Sequence, residues 1–571
     1  MLCGKKLKMT ILPMFAILAL LLAACGSSGG TSSTSSSSQP ASADKQVLRV
    51  AVGATDFGSL DPALVQLAVD YDTLSTVFTG LVEFDNQIHL QDQLAASHSI
   101  SSDGLTYTFT LKPNLKFSDG TPLTSQDVVY SINRALLPAT KSQVAYYLNL
   151  VKDYDKIQAG KVSTLIGDSL LAPDPNTVKI IISKPAAYFL QALTYPTSFV
   201  VEKSLIDKYG TSWTDHLNQG GGDGPFKVTN YDHTKGLYLV PNPNYYGKQP
   251  KIQKLEFLIS GDVDTTFKGY QSHQYDWTGV VGLPPAQIAG LAGNPEFHEY
   301  TNLRIRYVTM NYLVKPFDNI KVRQALALAI DKDLLAKTVF RNTVIATNHI
   351  VPQGMPGYSP DLIGPASVKS TAGDKAMAKQ LLQQGLQEEG LSSFPTNITF
   401  SYYTDVKAIV DATQAILQMW QQVLGISMKS DATTYAKLIT LEDATVNNPK
   451  GLQVWISGWL ADYPDPQDWL TTFFDKGSGY NQMNYGQNQS SVAAQQQAVQ
   501  KQLEQADVTQ DQTTRLKMYN EAEQKIINDA GWISLYQNKI QLMKSTKLQG
   551  IVFNALSITP PDDWANIFIS Q

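Results

Sequence analysis

Ser102-Asp103-Gly104-Leu105-Thr106-Tyr107-Thr108-Phe109-Thr110-Leu111 sets an Asp-Gly turn in front of a strict alternation, with Leu105, Tyr107, Phe109 and Leu111 falling on one face. A period of two marks a half-buried strand, and Asp-Gly marks a hairpin turn. The partner strand is expected just downstream, in Lys116-Phe117-Ser118-Asp119-Gly120-Thr121-Pro122. Thr124 then stands three residues before Asp127, where a capped helix carrying Val128, Tyr130 and Ile132 should open.

Working outward, Val47-Leu48-Arg49-Val50-Ala51-Val52 is β-rich, and a helix-like segment runs on to Val77-Phe78-Thr79-Gly80-Leu81. Gly224-Pro225-Phe226-Lys227-Val228 leads into a strand, and Leu237-Tyr238-Leu239-Val240 precedes Pro241-Asn242-Pro243-Asn244-Tyr245-Tyr246. The stretch 316–331 reads as one capped, apolar helix with Val322, Leu326 and Ala329 or Ile330 facing a core. Residues 413–424 and 515–527 have helical period, and the glutamine-rich 482–505 reads as a solvated surface helix. Such alternation of strands and helices favours α/β lobes, and 571 residues make room for two to four of them at roughly 100 to 200 residues each.

The first residues set the compartment. Lys5, Lys6 and Lys8 precede an apolar run over 11–24, too short to cross a bilayer as a helix, so it reads as a secretory signal. The run closes on Leu22-Ala23-Ala24-Cys25-Gly26, which resembles the lipobox of bacterial lipoproteins; Cys25 then becomes the lipidated first residue and the only thiol. No disulfide is expected. Residues 26–44 are almost entirely Ser, Gly, Thr and Ala, a composition that cannot bury enough apolar surface to offset chain entropy, so 25–45 is read as a flexible tether.

Composition removes several classes of function. With 43% hydrophobic and 17% charged residues the chain is neither disordered nor a polytopic membrane protein, and a net charge of −5 gives no pull toward nucleic acid. There is no His-Glu-x-x-His helix, no Gly-x-Ser-x-Gly elbow and no phosphate loop, and the seven histidines never fall at three- or four-residue spacing. Gly220-Gly221-Gly222-Asp223-Gly224 lacks the strand-turn-helix setting of a dinucleotide fingerprint and is read as a turn.

Taken in order, the 103–127 block, the Gly224-Pro225-Phe226 turn, the Asn242-Pro243-Asn244-Tyr245-Tyr246 run and the 316–331 helix resemble the extracytoplasmic solute-binding proteins of the peptide, opine and nickel class, which feed ABC importers. Over 141–213 and 452–466 the chain is most similar to the oligopeptide-binding members. The resemblance implies an α/β, two-lobed periplasmic-binding-protein-like fold with an extra domain, three lobes in all, joined by a hinge. Lobe I would comprise 46–88, 198–302 and 533–571, lobe II 89–197 and lobe III 303–532, behind a signal peptide at 1–24 and the tether at 25–45. Hinged lobes close on a ligand and expel water. The implied partners are short peptides, permease subunits with cytoplasmic ATPases, and the membrane through lipid on Cys25. No enzymatic activity, cofactor, metal or nucleic acid is implied, and the molecule is expected to be a monomer. The scaffold hosts many solutes, so an oligosaccharide, an opine, a nickel chelate or haem are the alternatives.

The resemblance also assigns a site. Gly458-Trp459-Leu460-Ala461-Asp462-Tyr463-Pro464-Asp465-Pro466 sets an acid among aromatics and prolines, and the acid at the Asp462 position pairs with a ligand's α-amino group in oligopeptide-binding relatives. Trp459 would wall the first pocket, Tyr435 and Tyr147 match aromatics near the ligand, and Val65-Gln66-Leu67-Ala68 matches a segment whose backbone, at Gln66 and Ala68, pairs with an extended peptide. Lys407 and Arg341 fall near basic positions that meet a ligand's carboxylate. Three departures stand out: Ile456 replaces an arginine, 279–282 replaces a polar run, and Asp223 stands where threonine is usual. The first two predict a more apolar cleft.

Overall fold

A computed structural model describes residues 39–571, Leu67 and Val280 excepted, with the side chains of Ala68 and Val69 also outside the description. The signal segment 1–24, Cys25 and most of the tether lie outside the described residues.

The alternating stretch forms the strand Thr106–Leu111, with Tyr107, Phe109 and Leu111 buried. Its hairpin partner lies upstream, at Ala95–Ile100, across the Asp103-Gly104 turn in which Gly104 takes φ +72°; Thr177–Ile181 flanks it on the other side. The expected partner, 116–122, instead closes on itself through a single Lys116–Pro122 bridge around Asp119-Gly120. Pro122 has no N–H to give a ladder, while Ala95–Ile100 went unread because only Ala95 of its six residues is buried. Leu170–Asp174 completes this four-stranded antiparallel sheet. Helix Ser125–Leu136 covers it, opened by the foreseen capping box of Thr124 and Asp127.

A second four-stranded sheet runs Val47–Ala51, Lys254–Leu258, Gly236–Pro241 and Phe226–Asp232, its first pair parallel and the rest antiparallel. Gly236 is obligatory there: at φ +136°, a Cβ would stand 1.9 Å from the Phe257 carbonyl oxygen. These two sheets share one hydrophobic core, centred on residues such as Phe78, Phe109, Trp213, Phe226 and Trp564.

The third sheet has six strands in the order Val344–Ala346, Ile533–Met543, Phe297–Met310, Val454–Leu460, Thr399–Tyr403 and Lys429–Thr433, and carries its own core with Trp420, Trp455, Trp469 and Trp532. The expected 316–331 helix is shorter, Ile320–Leu328, because Asn319 caps it by accepting from the Lys321 and Val322 amides; Asp331 then caps a second helix, Lys332–Thr338. The glutamine-rich segment corrects another expectation. Its helix, Ala493–Val508, buries Gln496 and Gln500 completely, and their amides tie Asp529, Gly486, Asn488, Phe474 and Tyr485 together.

Two strands join the halves. Phe297–Met310 and Ile533–Met543 pair antiparallel from Phe297 opposite Met543 to Val308 opposite Ile533, with register breaks between Thr301 and Ile305 and between Arg306 and Tyr307. One end packs on Phe267, Tyr270 and Leu283, the other in the six-stranded core. Both ends of the described chain meet at one place: the Ala41 amide and the Gln46 side chain donate to the Ile569 carbonyl, and Pro40 bridges Ser570. Residues 40–45, expected as the end of the tether, are thus held against the body.

Candidate functional site

Strand Val454–Leu460 lies antiparallel to Phe297–Met310, with Arg304 opposite Leu460 and Arg306 opposite Gly458; the Ala461 amide extends the ladder to the Leu303 carbonyl at 2.9 Å. The chain then turns sharply. Asp465 fixes that turn by capping the short helix Pro466–Asp468 and by accepting two bonds from Arg515, at 2.7 and 2.6 Å, in a buried pair. The turn folds Asp468 back onto the strand end, where its Oδ2 accepts from the Asp462 amide at 3.0 Å and from Trp459 Nε1 at 3.1 Å.

Asp462 and Asp468 therefore sit together, and each keeps one buried oxygen, Oδ2 of Asp462 and Oδ1 of Asp468, without a hydrogen-bond partner. Burial, reinforced by the neighbouring Asp468, holds the Asp462 carboxyl far above the usual carboxylate range; burial pushes Asp468 up to about 8. Two desolvated acids side by side favour either a retained proton or a bound cation. Among the described residues no cluster of three or more metal-ligating side chains is placed to hold a metal ion.

Tyrosines from separate segments surround the pair. Tyr480 lies 5.3 Å from the Trp459 ring and 5.1 Å from Tyr146, Tyr146 touches Tyr147 at 4.2 Å, and Tyr147 stacks on Tyr195 at 4.1 Å. Tyr71 meets Tyr195 at 5.7 Å. Burial raises the phenols of Tyr71, Tyr146 and Tyr480, and the charge of Asp462 adds to each, so all three stay protonated donors. Contacts of Tyr146 with Tyr480, Tyr147 with Tyr463 and Gln191 with Asp465 run between the two halves, which are closed on one another here.

The expected residues divide into two groups. Asp462, Trp459 and Tyr147 converge. The 65–68 segment joins them through the Tyr195 hydroxyl, which donates to the Val65 carbonyl at 3.2 Å; Gln66 is exposed and Ala68 opens helix Ala68–Val77. Tyr435 starts helix Tyr435–Asp443 and lies 4.9 Å from Tyr403, whose ring carries the Arg306 guanidinium at 5.8 Å. Lys407 and Arg341 are not brought to this cluster: Lys407 is exposed and bonds Asp411 at 2.7 Å, and Arg341 sits in an exposed left-handed turn at φ 52°.

The departures resolve in physical terms. Ile456 is fully buried in the six-stranded core, and Asp223 is a buried structural group that accepts from the Thr79 amide and hydroxyl. Arg304 and Arg306, on the strand paired with Val454–Leu460, set two charges beside this segment that the reading of the departures did not include. Sequence reasoning missed both, and missed Asp468, Tyr71, Tyr146, Tyr195 and Tyr480. Two arginines at alternate positions of an otherwise apolar run, Leu303-Arg304-Ile305-Arg306-Tyr307-Val308, was the available signal.

A two-halved α/β body closing on a shared cleft is the architecture of a solute-binding protein. The chain belongs to the bacterial extracellular solute-binding proteins, family 5, whose model matches residues 89–481. Among curated relatives it is 28% identical over 516 residues to the oligopeptide-binding protein OppA of Bacillus subtilis, covering 90% of this chain and 91% of that one. It is 26% identical over 504 residues to the dipeptide-binding protein DppE of the same organism, covering 86% and 87%. The crystal structure of Haemophilus influenzae OppA in complex with RPPGFSPFR superposes with a TM-score of 0.76 at 22% identity, covering 93% of this chain and all of that one, a likeness of fold. Among the described residues no helix is long and apolar enough to cross a membrane.

Proposed function

We propose that this chain is the lipid-anchored, non-enzymatic binding subunit of an ABC importer. It captures short peptides in extended form between closing lobes and hands them to permease subunits driven by cytoplasmic ATPases. The three lobes follow the bounds given by the resemblance, Cys25 carries the lipid, and the body works as a monomer outside the cytoplasm.

One observation carries the reading: two buried carboxyls, Asp462 and Asp468, each with an unpartnered oxygen, inside a tyrosine-lined closure between the halves. A peptide's α-ammonium satisfies both oxygens and takes the place of a proton, while the ring faces of Trp459, Tyr146 and Tyr480 favour a cation. Fixed acids read the amine of the first residue and leave its side chain unread. Backbone pairing along Val65, Gln66 and Ala68 would supply sequence-independent affinity. Relatives named for oligopeptides and dipeptides support the class of ligand. Lys407 and Arg341 stand apart from this cluster, and the reading does not depend on them.

The test is a thermal shift on the body from Lys45 onward, stripped of ligand by unfolding and refolding, with a pool of free-amine tri- to pentapeptides against the same pool N-acetylated. A ligand at a hundredfold excess over its Kd adds about 2.7 kcal/mol. A shift with free amines alone is expected. Equal shifts with both pools, or none with either, refute the proposal, and cleavage of the recovered peptide would refute the non-enzymatic part.

A further inference from the structure

Between Leu460 and Leu470 one side chain crosses from one half to the other. Ala461 and Trp469, on the two flanks of the turn, are buried in the core of the six-stranded half, to which strand Val454–Leu460 belongs. Tyr463, between them, is buried instead in the core shared by the two four-stranded sheets, at 4% exposure. Its ring stacks on Tyr188 at 6.2 Å, 6° from parallel, and meets Tyr147 edge-on at 6.2 Å. Both partners belong to the opposite half. A ring planted in the core of the facing half loses those contacts when the halves part, and an aromatic side chain carries a large share of the energy of any interface it enters.

The turn is stiff enough to transmit that hold. Pro464 and Pro466 fix two of its backbone angles. The Asp465 amide donates to the Tyr463 carbonyl at 2.8 Å, and the Tyr463 hydroxyl donates to Gln467 Oε1. Polar contacts flank the ring: Gln191 Nε2 reaches Asp465 Oδ2 at 3.4 Å, and Lys184 lies within electrostatic reach of buried Asp507. Lys184, Tyr188 and Gln191 thus oppose the six-stranded half from a single segment. The ring carries most of this grip, because the Gln191 bond is long and leaves its Oε1 buried without a partner, while the Lys184 charge is exposed and screened.

We infer that Tyr463 is a positioning residue for the proposed amine site: its ring, held by the opposite half only when the halves are closed, fixes the turn that sets Asp468 beside Asp462. Closure and the geometry of the acid pair are then one event. The inference rests on the peptide reading of the cleft and adds what couples ligand to closure. With the halves apart the ring stands in water, and within its own half the turn keeps the hold of Arg515 on Asp465. An ammonium that draws Asp462 and Asp468 together favours the arrangement in which Tyr463 fits its slot, and the apparent affinity scales with the fraction of molecules able to adopt it.

Tyr463→Ala and Tyr463→Phe separate the ring from the hydroxyl. In Tyr463→Ala, small-angle scattering from the stripped protein should give a larger radius of gyration than the wild type. Dissociation of the free-amine peptide Ala-Ala-Ala should quicken by about ten- to a hundredfold, with association little changed. Tyr463→Phe keeps the ring, so its scattering should match the wild type and its dissociation should lie within about threefold. A residue that merely ties the turn to Gln467 would show the loss in both variants. In the wild type, amide exchange at 461–468 and 184–191 should slow together on adding peptide, a readout that stands even if Tyr463→Ala folds poorly; protection of one segment without the other overturns the anchor. Unchanged scattering and dissociation in Tyr463→Ala overturn it as well. A wild type that binds no peptide overturns the reading of the cleft, and scattering, which needs no ligand, then decides the anchor.

Discussion

At the scale of the residue, the proposed site is an acid pair whose protonation would be linked to its occupancy. Burial pushes Asp468 up to about 8 and holds Asp462 well above the usual carboxylate range, so at neutral pH the pair retains a proton that an ammonium must displace. Free-amine peptide binding should therefore strengthen from pH 5.5 to about 8 and weaken above it, as the ligand's own amine, with a pKa of about 7.7 to 8.0, loses charge. Calorimetry in buffers of different ionisation enthalpy should register a proton released on binding; a pH-independent affinity would remove the acid pair from the mechanism. Asp462→Asn should weaken free-amine binding at least tenfold, since losing one partner of a buried charge pair costs about 2 to 5 kcal/mol. Asp468→Asn should shift the rising limb toward lower pH, because Asp462 then loses its like-charged neighbour. Asp462 was legible because the acid, the aromatics and the prolines are contiguous in the chain. Asp468 was not, since only the turn fixed by Asp465 and Arg515 brings it back. Tyrosines contributed by four separate segments leave no local signature at all.

At the scale of the element, caps and buried amides do work that hydrophobic period does not report. Thr124→Ala removes one half of a reciprocal cap and should cost about 0.5 to 2 kcal/mol in urea unfolding, with peptide affinity unchanged. Gln500→Leu keeps the volume near Phe474 and Tyr485 but orphans two carbonyls, so it should destabilise by about 1 to 3 kcal/mol; a surface-like effect below 0.5 kcal/mol would restore the solvated-helix reading. The sequence misled there because glutamine is ordinarily a surface residue, and burial of its amide depends on loops closing over it from 486 and 488. Strands with clean alternation, such as Thr106–Leu111, and helices with strong caps were readable. Ala95–Ile100 was not, because an edge strand with both faces wet carries no period.

At the scale of the whole molecule, several acids outside the site are buried as well. Asp468 and Glu442 are pushed up to about 8, Asp70, Asp223 and Glu523 to about 7, and Asp72 and Asp507 to about 6, all by burial. Each folded-state pKa exceeds its unfolded value, so each contributes stability at low pH that is lost as pH rises through the folded pKa. His349, lowered to about 4, and Lys332, lowered to about 7, act in the opposite sense but are fewer. The Tm of the stripped protein should fall from pH 5 to pH 8, and saturating peptide should recover part of the loss; a Tm that rises across that window would contradict the assignment. The lobed architecture was legible from the order of motifs along the chain, but the closure was not, since it depends on strands 297–310 and 533–543 crossing side by side.

The meeting of Pro40 and Ala41 with Ile569 and Ser570 makes the body nearly a closed loop of chain. A short linker can join the two ends without disturbing either half, and new ends can be opened between Ser392 and Ser393, which are exposed. Such a permuted protein would carry a leash fused there on the six-stranded half instead of the half that holds Pro40. On the function proposed above, tethering the opposite jaw would leave capture in solution intact while presenting the other side of the molecule to the membrane, and so would separate what binding needs from what delivery needs.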